Sequence, residues 1–138
     1  MDFFKTLEKI LSITLPSEKC RAFKEFYPEY LAGKYFFDHA QEAVLFEKPS
    51  YTGYCQLVSP AVVLKRKKLS GDRGKAIFLH AVAHIEYSAI DLALDAAYRF
   101  KNMPQLFYDD WLRVASDEVR HFEMLEGLLA EVGSFYGE

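Results

Sequence analysis

The chain has 138 residues, a formal net charge of −3, 51% apolar residues and 16% aromatics. It is long enough for one domain with its own core, and too apolar for a disordered chain. The weak negative charge sets up no global field toward nucleic acid.

No uninterrupted apolar run approaches the roughly 20 residues that span a bilayer. The start, Met1-Asp2-Phe3-Phe4-Lys5, has an acid at position 2 and no secretory pattern. These features lead us to expect a cytoplasmic protein with no membrane partner.

The first predicted element is an amphipathic helix over residues 2–13. Phe3, Phe4, Leu7, Ile10 and Leu11 recur at helical spacing with Lys5, Glu8 and Lys9 between them. Pro16-Ser17 stops it and starts a second helix, capped by Ser17, through Cys20, Phe23 and Phe26 to about Tyr27. Cys20 and Cys55 lie far apart with no Cys-x-x-Cys. They read as buried small side chains in a reducing compartment rather than as a disulfide or metal pair.

Residues 28–60 are punctuated by Pro28, Gly33, Pro49, Gly53 and Pro60 and dense in aromatics. They read as partly helical and partly irregular, with a strand or two open. The expected organisation is an N-terminal helical and irregular segment, 1–60, packed on a helical hairpin, 61–138, within one domain. The basic run Lys65-Arg66-Lys67-Lys68, with Arg73 and Lys75 near it, reads as a solvated loop. Phosphate or RNA contact is the alternative.

Ser70 to Gly74 opens the main helical region. The pattern predicts one helix over about 72–101, with a buried stripe of Leu79, Val82, Ala83, Glu86, Ala89, Ile90, Ala93 and Ala97. A break at Asn102-Met103-Pro104 separates it from a second helix over about 104–132, with proline at its first turn and Gly133 at its end. Its stripe would hold Leu112, Ala115, Glu118, His121, Phe122, Leu125, Leu128 and Val132.

Three polar residues interrupt these apolar stripes. Glu118 and His121 form a Glu-x-x-His pair at i, i+3 and so share a helix face. Residue 102 is the midpoint of 86 and 118, so an antiparallel fold at the break brings Glu86 to the height of Glu118. A buried unpaired carboxylate costs several kcal/mol, so these acids must be protonated, paired or metal-bound. A Glu from one helix and a Glu-x-x-His from the next is the ligand unit of di-iron and di-manganese carboxylate bundles. An intrahelical hydrogen bond or a solvated pair is the competing reading.

His80 and His84 also stand at a ligand-like spacing. At about 100° per residue, His84 lies roughly 200° around the helix from Glu86, so packing of the two histidines against the N-terminal segment, or an orienting role, is the better reading. Asp117, four before His121, could orient its imidazole from outside the ligand set, with a surface role as the alternative. Tyr87, Tyr98, Tyr108 and Trp111 read as core. There is no HExxH, phosphate loop or Ser-His-Asp order.

The stretch from His80 through Glu86 to Phe100, followed by Pro104, Phe107-Tyr108, Asp110-Trp111-Leu112 and Glu118-x-x-His121-Phe122, resembles the DUF455 family. These are ferritin-like proteins distantly similar to tRNA-hydroxylating di-iron enzymes. The resemblance implies an all-α, ferritin-like fold, of which this chain carries half of a four-helix bundle. It matches Glu86, Glu118 and His121 to the first half of a di-iron ligand set, with manganese as the other metal. Family members look about twice as long and continue into two further helices with another Glu and another Glu-x-x-His.

Such a site is completed either by a second copy of this chain or by the family's C-terminal half. The implied function is an O₂-activating oxidoreductase or hydroxylase of unknown substrate. The alternatives are a non-catalytic iron-binding or storage protein, and a helical interaction module with a vestigial site.

Overall fold

The computed structural model describes residues 1–44 and 71–137. The expectations for residues 45–60, for Cys55, for the boundary at 60/61 and for Lys65 to Lys68 lie outside the described residues. Among those residues there are four helices and no strand: α1 Phe3–Ser12, α2 Pro16–Leu31, α3 Gly71–Arg99 and α4 Gln105–Glu131. The described part of the chain is all-α, and α3 and α4 pack as a hairpin.

α1 begins where Asp2 accepts the Lys5 backbone N–H at 3.2 Å, satisfying one orphan donor of the first turn. Its apolar face, Phe3, Phe4, Leu7, Ile10 and Leu11, is buried. An isolated parallel bridge joins its start to the segment after α2: Phe3 N–H donates to the Phe36 carbonyl at 2.8 Å, and Phe36 N–H to that of Met1 at 3.0 Å. Phe37 thereby lies 4.5 Å from Phe3 and 5.0 Å from Tyr108, ring centre to ring centre.

α2 departs from the sequence reading at both ends. Pro16 occupies the first turn, where its missing N–H costs nothing, and Ser17 lies inside the helix rather than capping it. The helix also runs past Pro28 to Leu31. Tertiary contacts outweigh the proline there. Tyr30 is buried, donates to Asp109 of α4 at 2.6 Å and accepts from Gln105 at 2.7 Å. Burial and the Asp109 carboxylate hold its phenol well above the usual range.

A short turn joins α3 to α4. Asn102 takes a left-handed φ of 59°, a conformation in which asparagine is enriched. Its N–H donates to His39 Nδ1 at 2.8 Å. The Tyr108 hydroxyl donates to the Phe100 carbonyl at 2.7 Å and accepts the Met103 N–H at 3.3 Å. α4 ends at Glu131, with Gly133 at φ 74° just beyond, as its position in the sequence suggests.

The buried stripes are rotated from those expected. On α3 they include Tyr87, Leu94 and Tyr98. On α4 they include Val119 and Leu129, while Leu128 is exposed. Both rotations are toward α1 and α2, which pack on α3 and α4 respectively. Two N-terminal helices therefore cover one side of the hairpin and draw its core toward them. Glu86 and Glu118 fall at the edge of the buried stripe and not at its centre.

The tie across this covered side is Lys19. Its side chain is 0% exposed, and its Nζ meets Asp91 at 2.6 Å and the Leu11 carbonyl at 3.2 Å, joining α1, α2 and α3. Burial pushes the ammonium below its usual value and Asp91 opposes that. Beside it, Cys20 is buried, and burial with Glu123 and Glu126 pushes its thiol up to about 12.

By length and composition alone, α3 over Arg73–Arg99 is long and apolar enough to cross a membrane, its most apolar 18-residue stretch having a mean hydropathy of 1.3. Core helices meet the same test. This one packs against α1 and α4 and carries Glu86 and Asp91 at mid-length.

Asp91→Ala removes the counter-charge of a buried cation. It should lower the free energy of unfolding by about 3–5 kcal/mol, measured in urea. Lys19→Met with Asp91→Leu should recover most of that. A single-variant loss under about 1 kcal/mol would show that the pair is not held out of water.

Candidate metal centre

The hairpin brings together the three residues that the sequence singles out. Glu86 on α3 and Glu118 and His121 on α4 each offer one donor atom, and the three atoms lie within 4.8 Å of one another. His121 Nδ1 is 3.8 Å from Glu86 Oε2 and 3.8 Å from Glu118 Oε2. These separations are too long for hydrogen bonds. They are short enough for one cation, roughly 2.0–2.2 Å from each N or O donor, to sit among them.

The carboxylates are mostly buried and the imidazole, at 46% exposed, forms the open edge of the cluster. Glu118 Oε2 is buried and has no hydrogen-bond partner. A native carboxylate oxygen without donor or solvent is uncommon and asks for a cause. No described Lys or Arg is bonded to either ligand glutamate. Arg120 is taken by Asp117 at 2.7 Å and Arg113 by Asp110 at 3.0 Å. Two oxygen donors and an imidazole suit iron, manganese or zinc, and the orphaned oxygen is the place where such an ion fits.

The orienting candidates are placed elsewhere. Asp117 is held by Arg120 on the surface and not by His121. His84 turns to the C-terminal segment, its Nδ1 2.9 Å from the Tyr136 hydroxyl. His80 accepts the Gly137 backbone N–H through Nε2 at 2.9 Å, and its ring stacks on Tyr136 at 5.1 Å. Burial pushes the His84 imidazole below its usual value. The two histidines thus hold the segment after α4 rather than the N-terminal one. Tyr136 fills the socket, buried against Tyr87 and Phe122. Sequence reasoning passed over Tyr136 and Lys19. The only signal for Tyr136 was an aromatic placed three residues past the helix-ending Gly133.

Comparison with known proteins adds a family but no activity. A family model described as "Protein of unknown function (DUF455)" matches residues 12–138. An "Uncharacterized protein" of Haemophilus influenzae is 34% identical over 146 aligned residues, which take in 99% of this chain and 50% of the relative. The chain therefore spans about half the length of the curated relative it matches. No solved structure matches. With nearly the whole chain under the family model, Glu86, Glu118 and His121 included, the chain belongs to the DUF455 family.

Proposed function

We propose that this protein binds a redox-active divalent metal, iron or manganese, through Glu86, Glu118 and His121, as half of a ferritin-like di-metal carboxylate centre serving an oxidoreductase. The observation that carries the reading is the buried Glu118 Oε2 that lacks a partner, set with Glu86 and His121 around a space of cation size.

A bound metal of this kind supplies electrons to O₂. The chain's residues do the rest. Glu86 and Glu118 supply the negative charge that draws the cation in and fix its height in the hairpin. His121 supplies a neutral nitrogen donor at the rim. The two carboxylates are themselves mostly buried, which strengthens each charge–metal interaction. Three donors leave coordination positions open, which a catalytic or storage site needs and a closed structural site does not.

The donors set the pH dependence. His121 must be neutral and both glutamates ionised to ligate, so metal competes with protons and binding weakens as pH falls. Calorimetric titration with Mn(II), and with Fe(II) under argon, reads this directly. Glu118→Ala and His121→Ala should each weaken binding at least about tenfold, whereas His80→Ala, off the ligand face, should leave it nearly unchanged. Equal damage from His80→Ala would move the site to the His80/His84 pair.

A metal-free measurement tests the same reading independently. Glu118→Gln removes one of two neighbouring negative charges and gives the group a donor to share. It should stabilise the metal-free protein by about 1 kcal/mol while removing the stabilisation that Mn(II) gives the wild type. A destabilising effect in the absence of metal would mean that Glu118 is already satisfied and that no vacancy for a cation exists there.

A further inference from the structure

The side of the hairpin away from α1 and α2 is apolar and uncovered by any described residue. On α3 it carries Phe78, Ile85 and Leu92, which are 43–70% exposed, and on α4 it carries Val114 and Leu128 at 39% and 37%. Helical spacing puts Val114 and Leu128 within about 20° of His121 on α4, and puts Phe78, Ile85 and Leu92 about 80–120° around α3 from Glu86, on the side away from the buried stripe. Beyond Leu92 the surface of α3 turns polar, through Ser88 and Asp95 to His84 and His80. The opposite edge of α4 carries Gln105, Asp109 and Glu123, which serve α2 through Tyr30 and Lys24.

We propose that this face is the docking surface for a second copy of the chain, and that metal at Glu86, Glu118 and His121 switches the pairing on. The proposal rests on the metal reading above. Two observations select the occupant. The first is the ligand set itself, which holds two carboxylates and one imidazole in each copy. A two-fold axis through it gives four carboxylates and two imidazoles, enough to enclose a pair of ions. The second is charge. Each copy brings two glutamates to the centre of an apolar face, and no described Lys or Arg is bonded to them. The Arg113 and Arg120 guanidinia are held by Asp110 and Asp117.

Face-to-face pairing without metal would bury four like charges together, which strongly disfavours it. With metal the same four carboxylates become shared ligands. Free energy of metal binding then appears as free energy of association, and an apolar patch of this kind finds the cover that exposed patches ordinarily mark.

The test is sedimentation velocity of the chain at micromolar concentration, with EDTA and with Mn(II). Free Mn(II) is followed in parallel by electron paramagnetic resonance. The expected result is a monomer in EDTA, a mass doubled in Mn(II), and spin-coupled Mn(II) pairs with one pair per dimer. Leu92→Glu and, on the other helix, Leu128→Glu change exposed side chains and should leave helicity intact. Each should weaken the metal-dependent dimer at least about 100-fold.

Mn(II) bound by a chain that stays monomeric overturns the pairing and leaves the metal reading standing. No binding of Mn(II) overturns both. A dimer that persists in EDTA, or one indifferent to both glutamate variants, overturns the proposed switch or the proposed surface.

Discussion

The register between α3 and α4 is the constraint on which the ligand cluster depends. Glu86 and the Glu118/His121 pair are 32 and 35 residues apart in the chain, and nothing local brings them together. A slip of one residue along a helix moves a side chain by about 1.5 Å and swings it by about 100°. Either change would separate carboxylates that now lie around one imidazole. The turn prevents such a slip. Tyr108 ties the last carbonyl region of α3 to the first turns of α4, and Asn102 is fixed from outside by His39. His39 stacks on Phe37, which packs on Phe3 of α1. The N-terminal helices therefore do more than cover the hairpin, because their far end clamps the turn that sets its alignment.

Much of this was legible in the sequence, and for a physical reason. Two long helical patterns, a proline at a break and a glycine at an end are local signals. Counting outward from residue 102 turned them into a tertiary contact. What was misread was the rotation of the helices. A stripe drawn through Glu86 and Glu118 treated them as core, whereas the buried stripe runs through Tyr87, Leu94, Val119 and Leu129. Rotation is decided by what covers a helix, and α1 and α2 come from far away in the chain. Pro28 misled for the same reason: the bond from Tyr30 to Asp109 is tertiary, and propensity carries no knowledge of it. The Lys19–Asp91 pair was invisible too, since a lysine on a helix reads as solvated until the partner helix is known.

The two sides of the hairpin follow opposite rules. On the covered side every buried charge has company, and the aromatic side chains are packed and bonded. On the other side a carboxylate oxygen is left without a donor and large apolar side chains meet solvent. Such a concentration of locally unfavourable features marks where a fold is arranged for something other than its own stability. The side that is stable holds the side that is not, and the rigid register lets the ligand cluster tolerate its repulsion.

Cys20 gives that division a chemical consequence. Its thiol lies on the covered side, and its proton is held by burial and by Glu123 and Glu126. With the thiol pushed up to about 12, the thiolate is scarce at neutral pH. The thiolate is the form that attacks peroxides and disulfides. A sulfur placed this way is insulated from oxidants by electrostatics as well as by access, so neither sulfenic acid nor a mixed disulfide should accumulate at Cys20 while the helices remain packed.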